Sequence, residues 1–438
     1  MKAKIISSAV LIVLGIFVCV SMFAKNSSIE QEYQSYLDLA RKNAEKNIPY
    51  NSINYYQKAF AIRNNDESIY REYIEQTKKF PDNGRKYYEA LKKYLNVFPD
   101  SVKAYEDVCS YYYNDSQDYH NALKTAKQAK EKGMSSDALK FYYNTCGYMY
   151  KVMRSELDEA YSFLGGYALV KRDDRYGYLN ASGEYIIAPS KYSKASMMMS
   201  GAAAVFDEDE KSWVVINDSG YVVARPSDSL DTLSFLSNGF MPASKEGKYT
   251  YLTQSLNVDK TKFQYDYCSN FKNNVGAVKK DGKWALVNSK GESITDYIFE
   301  DVKLDEFNAC VNNGIVMAKT QGKYYFYNTS GVKVSEQGFD DVCQFAEGDK
   351  AAVCIDKKWG FADSTGNIVI EPQFDDARSF SMNLAAVNEK GVWKYIDKYL
   401  TPRVEGEFSD CKPFSGVGIA AVCMKNGKWS YIKLFFYS

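Results

Sequence analysis

The chain of 438 residues has little of what most enzymes and nucleic-acid-binding proteins need. It contains one histidine, His120, and its 55 lysine and arginine residues are balanced by 55 aspartate and glutamate residues, so the formal net charge is zero. A neutral chain argues against a nucleic-acid partner, because binding to a phosphate backbone relies on an excess of basic side chains. Since the one histidine stands where a turn meets a predicted helix, a histidine-based catalytic site is not expected.

Chemical motifs are missing as well. None of the nine cysteines stands in a Cys-x-x-Cys pair, and the chain has no glycine-rich phosphate loop, no Gly-x-Ser-x-Gly and no Asp-x-Asp-x-Asp-Gly loop. Those patterns indicate zinc, nucleotide, hydrolase and calcium sites. We therefore expect no metal ion, no cofactor and no catalytic residues, and we predict that the protein is not an enzyme.

The cysteines recur at equivalent places instead. Cys354 and Cys423 each follow Ala-Ala-Val, and Cys268 and Cys411 each stand three residues before a phenylalanine. This recurrence predicts small buried side chains rather than a disulfide framework. Free thiols in such number would be unusual outside the cytoplasm.

Long apolar runs are absent except at the start of the chain. After Lys2 and Lys4, the segment Ile5–Ala24 carries no charge. Twenty residues of helix at about 1.5 Å each span about 30 Å, which is one hydrocarbon core. Residues 1–25 are therefore predicted to be an uncleaved transmembrane anchor, with a cleaved signal peptide as the alternative. Either would place the bulk of the chain outside the cytoplasm, at a bacterial cell membrane crossed once.

Residues 26–164 carry a helical hydrophobic period broken by turn signals. The predicted helix pairs are 28–46 with 49–63, 67–79 with 84–97, 101–113 with 118–132, and 136–153 with 156–164. Tyr55–Ala59 and Asp118–Ala122, with small residues at Ser52, Ala90, Ala122 and Ala160, resemble tetratricopeptide repeats. The resemblance implies an α-solenoid that docks a partner; a plain helical spacer is the alternative.

The remainder of the chain is built from a different repeat. Eight aromatic residues recur at intervals of 34 to 40 residues, a period typical of arrays whose units stack into a continuous surface. Each follows a short apolar strand and a tight turn, and most precede a four-residue turn such as Asn180–Gly183. The eight are Tyr176, Trp213, Tyr249, Trp284, Tyr324, Trp359, Trp393 and Trp429.

Residues 167–433 resemble WG repeats, a family of bacterial repeats of mostly unassigned function. Tyr176-Gly177 and Trp359-Gly360 keep the aromatic–glycine pair of the family, whereas Trp284-Ala285 departs from it. We therefore expect a multidomain chain: a transmembrane helix, an α-solenoid over 26–164, and an all-β array of eight units over 165–438. Eight units suit a propeller-like toroid, and an open β-solenoid is the alternative.

Two sets of residues are candidates for chemistry in this array. The eight aromatics could stack on a sugar or a quaternary ammonium group, or pack between neighbouring units. The recurring acid pairs Glu300-Asp301, Asp340-Asp341 and Asp375-Asp376 occupy equivalent positions, which favours a turn or strand-capping role over catalysis. Catalytic carboxylates need different environments to separate their pKa values.

The predicted function is a membrane-anchored, non-catalytic scaffold that presents its β surface to a protein or a cell-envelope glycan. A cytoplasm-facing scaffold is the first alternative, because the cysteines look reduced. A glycan hydrolase that uses two of the repeat carboxylates is the second.

Overall fold

The computed structural model describes residues 25–81, 84–154 and 156–435. The chain divides between Gly147 and Tyr148 into two compact units, an α unit and a β unit. Residues 148–164, which the sequence assigned to the last predicted helix pair, belong to the β unit.

The predicted membrane anchor requires a correction. Across the described residues, no helix is both long enough and apolar enough to cross a bilayer. The apolar segment Ile5–Ala24, on which the prediction rested, lies outside the described residues. The single-pass membrane placement therefore has no support in the structure.

Over residues 25–81 and 84–147, the α unit contains seven α-helices, and their bounds follow the predicted pairs closely up to residue 131. They are α1 (residues 25–45), α2 (Pro49–Ile62), α3 (Glu67–Lys78), α4 (Arg85–Val97), α5 (Val102–Ser110), α6 (Tyr119–Glu131) and α7 (Asp137–Gly147). A π-helical turn, Tyr111–Asp115, extends α5. At the start of α5, the side chain of Ser101 accepts a hydrogen bond from the backbone N–H of Ala104, as expected of an N-cap.

The last predicted helix pair is wrong. Helix α7 ends at Gly147, and the residues after it form short strands. Ala160, predicted to occupy a small-residue position between helices, lies on one of these strands. The other three small positions, Ser52, Ala90 and Ala122, are buried in the α unit, where they let neighbouring helices approach closely.

Short antiparallel strands make up the β unit. They are β1 (Tyr150–Val152), β2 (Glu159–Ala160), β3 (Tyr167–Arg172), β4 (Arg175–Asn180), β5 (Tyr185–Tyr192), β6 (Ala202–Asp207), β7 (Ser212–Asn217), β8 (Val222–Ala224), β9 (Thr232–Leu233), β10 (Phe240–Lys245), β11 (Lys248–Thr253), β12 (Tyr267–Cys268), β13 (Val275–Lys280), β14 (Lys283–Asn288), β15 (Asp301–Val302), β16 (Val311–Asn312), β17 (Ile315–Thr320), β18 (Lys323–Asn328), β19 (Asp341–Val342), β20 (Ala351–Ile355), β21 (Lys358–Ala362), β22 (Ile368–Phe374), β23 (Asp376–Ala377), β24 (Ala385–Glu389), β25 (Val392–Ile396), β26 (Pro402–Cys411), β27 (Ile419–Met424) and β28 (Trp429–Leu434).

Each repeat is centred on a hairpin of two strands, the second of which begins at or beside the repeat aromatic. In repeat 4, the hairpin β13–β14 turns at Asp281-Gly282, where both residues have positive φ (49° and 79°). Those values match the tight turn predicted from Asx-Gly and Gln-Gly pairs. The four-residue turns also form as predicted: the side-chain oxygen of Asn180 accepts hydrogen bonds from the N–H groups of Ser182 and Glu184.

The predicted arrangement of eight separate units in a propeller-like toroid is wrong. The strands form seven sheets, because the ten-residue strand β26 pairs with both β25 and β27 and merges repeats 7 and 8 into one seven-stranded sheet. Within residues 148–154 and 156–435, the small sheets close into neither a barrel nor a propeller. Strand β1, which precedes repeat 1, is the last strand of the merged sheet and pairs with β28.

A buried tyrosine links successive repeats. The residue two positions after the repeat aromatic is Tyr178 in repeat 1, and its hydroxyl donates to the carbonyl of Ser196 at 2.8 Å. Tyr251 and Tyr395 make the equivalent bonds further along the chain. In repeat 8, Tyr431 donates to the carbonyl of Tyr161, which precedes repeat 1, at 2.6 Å. The contact that joins neighbouring repeats therefore also joins the eighth repeat to the first.

An aspartate makes a second recurring link, on the surface. Asp375 accepts hydrogen bonds from Lys358 Nζ in repeat 6 (2.6 Å) and from the turn N–H of Lys390 in repeat 7 (2.7 Å). Asp158 does the same between repeats 8 and 1, with Lys428 Nζ at 2.6 Å and the N–H of Asp173 at 2.7 Å. We call these contacts aspartate links.

Candidate functional site

The eight repeat aromatics are buried or half-buried. Four of them, Trp213, Trp284, Tyr324 and Trp393, are at most 7% exposed, and the other four are half-buried. Each faces a residue of the preceding strand across its hairpin, as Trp359 faces Cys354 and Trp429 faces Cys423. Trp284 also lines a cavity of about 560 Å³, together with Tyr267 and Lys279.

Polar neighbours occupy the edges and faces of these rings. The indole N–H of Trp213 donates to the carbonyl of Asp231 at 3.1 Å, and the hydroxyl of Tyr324 donates to Asp301. Basic side chains lie over several ring faces, as Arg378 lies over Trp393 at 4.5 Å from the ring centre. A quaternary ammonium ligand would have to displace such cations, so the geometry favours the packing role.

The recurring acid pairs have the structural role that their repetition predicted. The first acids, Asp340 and Asp375, form aspartate links, and Glu300 accepts from the turn N–H groups of Gln321 and Gly322. Hydrogen bonds from the lysine side chains hold the pKa of Asp340 and Asp375 below the usual range.

The glycine that follows the repeat aromatic in repeats 1 and 6 is required because a larger side chain would not fit there. A Cβ atom on Gly360 would stand 2.5 Å from the carbonyl oxygen of Ile370, and one on Gly177 would stand equally close to that of Ile187. In both repeats the third strand crosses directly over the glycine. In repeat 4, where alanine replaces the glycine at Ala285, β14 is the edge strand of its sheet.

Six of the eight described cysteines are buried free thiols, whereas Cys343 and Cys423, the latter predicted to be buried, are half-buried. None of the described cysteines forms a disulfide, and Cys268, Cys310, Cys354 and Cys411 are among those that are buried. Burial raises the pKa of the Cys310 thiol to about 12.

Loops from all eight repeats converge on two adjoining cavities, and we call this surface the loop face. One cavity, of about 390 Å³, has Gln344 in its lining; the other, of about 360 Å³, has Asn270. We name them the Gln344 cavity and the Asn270 cavity. They share four lining residues: Leu164, Lys272, Asp305 and Phe307. The contributing segments are residues 162–165, 199–200, 235–239, 270–273, 303–309, 312, 343–347, 378 and 412–415.

One of these loops, residues 303–309 in repeat 5, is longer than its counterparts, and we call it the insertion loop. Fourteen positions separate Asp301 from Ile315, against ten between the equivalent Asp341 and Ala351 of repeat 6. The extra residues account for the long interval before Tyr324. The insertion loop contributes Asp305 and Phe307 to both cavities and so lies between them.

The insertion loop is fixed by contacts with several repeats. Asn308 donates to the carbonyl of Cys268 and to the side chain of Asn270 in repeat 4. Glu306 accepts from the N–H of Ser162 beside repeat 1 (3.2 Å) and from Lys412 Nζ in repeat 8 (2.8 Å). Asp305 caps the loop itself by accepting from the N–H groups of Phe307 and Ala309, and its burial raises the pKa of its carboxyl.

Sequence analysis did not find these cavities, because their lining comes from loops that differ between repeats. The usable signal was the 40-residue interval between Trp284 and Tyr324, which marks the insertion loop. His120, which the sequence placed at a turn-to-helix junction, lies exposed at the start of α6 in the α unit.

Comparison with known proteins gives distant structural similarities. Similar solved structures include Kluyveromyces lactis Hsv2p (13% identity, TM-score 0.38, 56% of this chain and 92% of that one), the Neurospora crassa Pan2 WD40 domain (9%, 0.32, 64% and 90%) and the Mitotic Checkpoint Complex (8%, 0.31, 67% and 93%). At TM-scores this low, they add nothing to the argument about this chain. A search of curated proteins finds no match.

The family comparison is informative for the β unit. The model of the WG containing repeat matches residues 176–211, 261–284, 359–393 and 395–429. Three of these stretches begin at or beside a repeat aromatic, in agreement with the hairpins of the structure. The tetratricopeptide resemblance of the α unit is not confirmed by any such match. The four matches support a WG-repeat protein.

Proposed function

We propose that the protein is a non-catalytic interaction scaffold whose β unit binds a partner protein at the loop face. The observation that carries this proposal is the convergence of loops from all eight repeats on the two adjoining cavities. Each repeat needs its hairpin for packing, so only the loops are free to vary, and they meet on one surface. Binding surfaces built from variable loops on a rigid β framework are a common arrangement.

The composition of the loop face suits a protein partner. Aromatic side chains such as Phe163 and Phe307 line the cavities beside charged residues such as Lys412 and Glu347. Aromatic anchors surrounded by polar groups are typical of protein interfaces. The repeat aromatics, by contrast, are buried or half-buried, and Asp340 and Asp375 of the acid pairs are engaged in aspartate links. The binding surface therefore differs from the one that the sequence suggested.

The experiment is affinity capture with the purified full-length chain and two charge-reversal variants. Glu347→Arg changes an exposed acid in the lining of the Gln344 cavity, and Glu336→Arg changes an exposed acid outside both cavities. We expect a protein that is captured by the wild type and by Glu336→Arg, and lost with Glu347→Arg. Capture of the same protein by all three baits, capture of glycan alone, or no specific capture would refute the proposed function.

A further inference from the structure

The basic side chains that line the Gln344 cavity differ in whether they form an ion pair. Three of the four basic residues that line the Gln344 cavity are in ion pairs: Lys303 with Asp341, Lys412 with Glu306, and Arg378 with Asp376 and Asp410. The fourth, Lys272, lines both cavities, and its ammonium group donates to the amide oxygen of Asn312. Among the described residues, no carboxylate lies within ion-pair distance of Lys272.

Asp305 of the insertion loop, which also lines both cavities, already has hydrogen-bond donors. Asp305 accepts hydrogen bonds from the N–H groups of Phe307 (2.9 Å) and Ala309 (2.8 Å) and from the amide of Asn312 (3.0 Å). Asn312 also accepts from Lys272, so it links Lys272 to Asp305, whose carboxylate already has three donors. A half-buried ammonium group whose polar partner is an amide oxygen has room for an anionic ligand.

Near Lys272, the Asn270 cavity offers an unused donor. The side-chain oxygen of Asn270 accepts from Ser234 and Asn308, which fixes the orientation of the amide and leaves its Nδ2 group as the remaining donor. Asn270 is 1% exposed, and within the described part of the chain its Nδ2 has no hydrogen-bond partner. Lys272 lines the same cavity as Asn270.

The Gln344 cavity offers the opposite chemistry. The amide nitrogen of Gln344 donates to the carbonyls of Lys303 (2.7 Å) and Cys310 (2.9 Å), which leaves its oxygen as the remaining acceptor. That oxygen and the hydroxyl of Ser162 are buried without a partner in the described ranges. Buried polar atoms without partners are unfavourable, and a bound molecule that carries an N–H group can supply one.

We propose that the two cavities bind one short peptide segment of the partner protein, with a carboxylate at Lys272 and Asn270 and an N–H group at Gln344. A peptide carries both groups a few ångströms apart, and the two volumes together are in the range of small-ligand pockets. Phe307, which stands between the cavities, packs against the apolar part of the segment. This inference rests on the proposed function and deepens it by naming the site and the chemistry of the ligand.

The carboxylate has two sources, a chain terminus or an acidic side chain, and the test separates them. Three pools of random octapeptides are titrated against the full-length protein by fluorescence polarisation. The first has a free carboxyl terminus and no Asp or Glu, the second is amidated and carries one Asp or Glu, and the third is amidated without either. We expect the first or the second pool to bind at least about tenfold more tightly than the third.

Variants of Lys272 then connect binding to the site. Lys272→Met keeps the apolar stem and removes the charge, and it should reduce binding of the preferred pool to the level of the third pool. Lys272→Arg keeps the positive charge and should retain most of the binding. Retained binding would also show that the lining still folds when residue 272 is changed. Lys425→Met, which changes an exposed lysine outside both cavities, is the matched control and should leave binding unchanged.

The outcomes separate this inference from the proposed function. Equal binding of all three pools, no binding of any pool, or equal binding to wild type and Lys272→Met would overturn the peptide site. If affinity capture nevertheless shows a partner that Glu347→Arg loses, the scaffold function stands and the peptide site falls. If capture shows no partner, the scaffold function fails whatever the pools show.

Discussion

The tyrosine that links the eighth repeat to the first gives the sharpest test of the structure. Tyr431→Phe removes the hydroxyl that donates to the carbonyl of Tyr161. The ring should still fit, because Phe326 and Phe361 occupy the same position in repeats 5 and 6 and are fully buried there. The variant therefore isolates the hydrogen bond from the packing.

The magnitude follows from what remains after the substitution. The carbonyl of the half-buried Tyr161 loses the buried Tyr431 hydroxyl as a donor, and an acceptor left without a partner away from water costs about 1–3 kcal/mol. For a unit of this size, each kcal/mol lowers the melting temperature by roughly 2–4 °C. Tyr178→Phe, which breaks the equivalent bond between repeats 1 and 2, should show a loss of the same size.

Urea unfolding followed by tryptophan fluorescence is the assay. All five tryptophans lie in the β unit, so the signal reports on that unit alone. If Tyr178→Phe is destabilised and Tyr431→Phe unfolds like the wild type, the contact between the eighth and first repeats does not form in solution. If neither variant is destabilised, the reasoning about these buried hydroxyls is wrong.

Three further predictions concern the repeat itself. Gly360→Ala should destabilise the β unit by about 1–3 kcal/mol in urea unfolding, since its Cβ would overlap the crossing strand; wild-type stability would contradict that overlap. Hydrogen bonds from lysine side chains are the main cause of the lowered pKa values of Asp158, Asp266, Asp340 and Asp375. The stability that these carboxylates add to the folded state is therefore present above the ordinary aspartate pKa of 3.8 and is lost as the pH falls through the lowered values. Asp375→Asn should accordingly lower the unfolding free energy at neutral pH, and the difference in unfolding free energy between the variant and the wild type should become smaller in acid. A difference that does not change with pH would count against the aspartate links. Burial raises the pKa of Cys109 and Cys310 to about 12, so a thiol reagent at mildly alkaline pH should react much more slowly with the native than with the urea-unfolded protein; equal rates would contradict the burial.

The repeat period could be predicted from the sequence because each copy forms the same turns from residues that are close together in the chain. Hairpin turns, four-residue turns and the aromatic beside each turn depend on neighbouring residues, and the structure places them where the spacing predicts. The helices up to residue 131 were predicted for the same reason, since capping residues such as Ser101 act within one turn. The tetratricopeptide assignment rested on looser spacing and is not confirmed.

The parts that failed depend on partners far away in the chain. Residues 156–164 have a helical pattern, yet they form no helix, and Glu159–Ala160 pair with the backbone edge of strand β3. Repeats 7 and 8 merge because β26 is long, and no local sequence pattern predicted that length. The two cavities could not be predicted for a related reason: Lys272 and Gln344 are far apart in the sequence and line one cavity only when separate loops are brought together.

The pairing of β1 with β28 has a consequence for how the protein is made. Tyr150 and Leu434 are neighbours in the folded sheet, but a ribosome releases one long before the other. Strand β1 must therefore remain unpaired while all eight repeats are synthesised, and the merged sheet can be completed only after β28 emerges. Such long-range pairing slows folding and leaves a strand edge exposed meanwhile. Translation of the full β unit is thus the step that commits this chain to its final sheet.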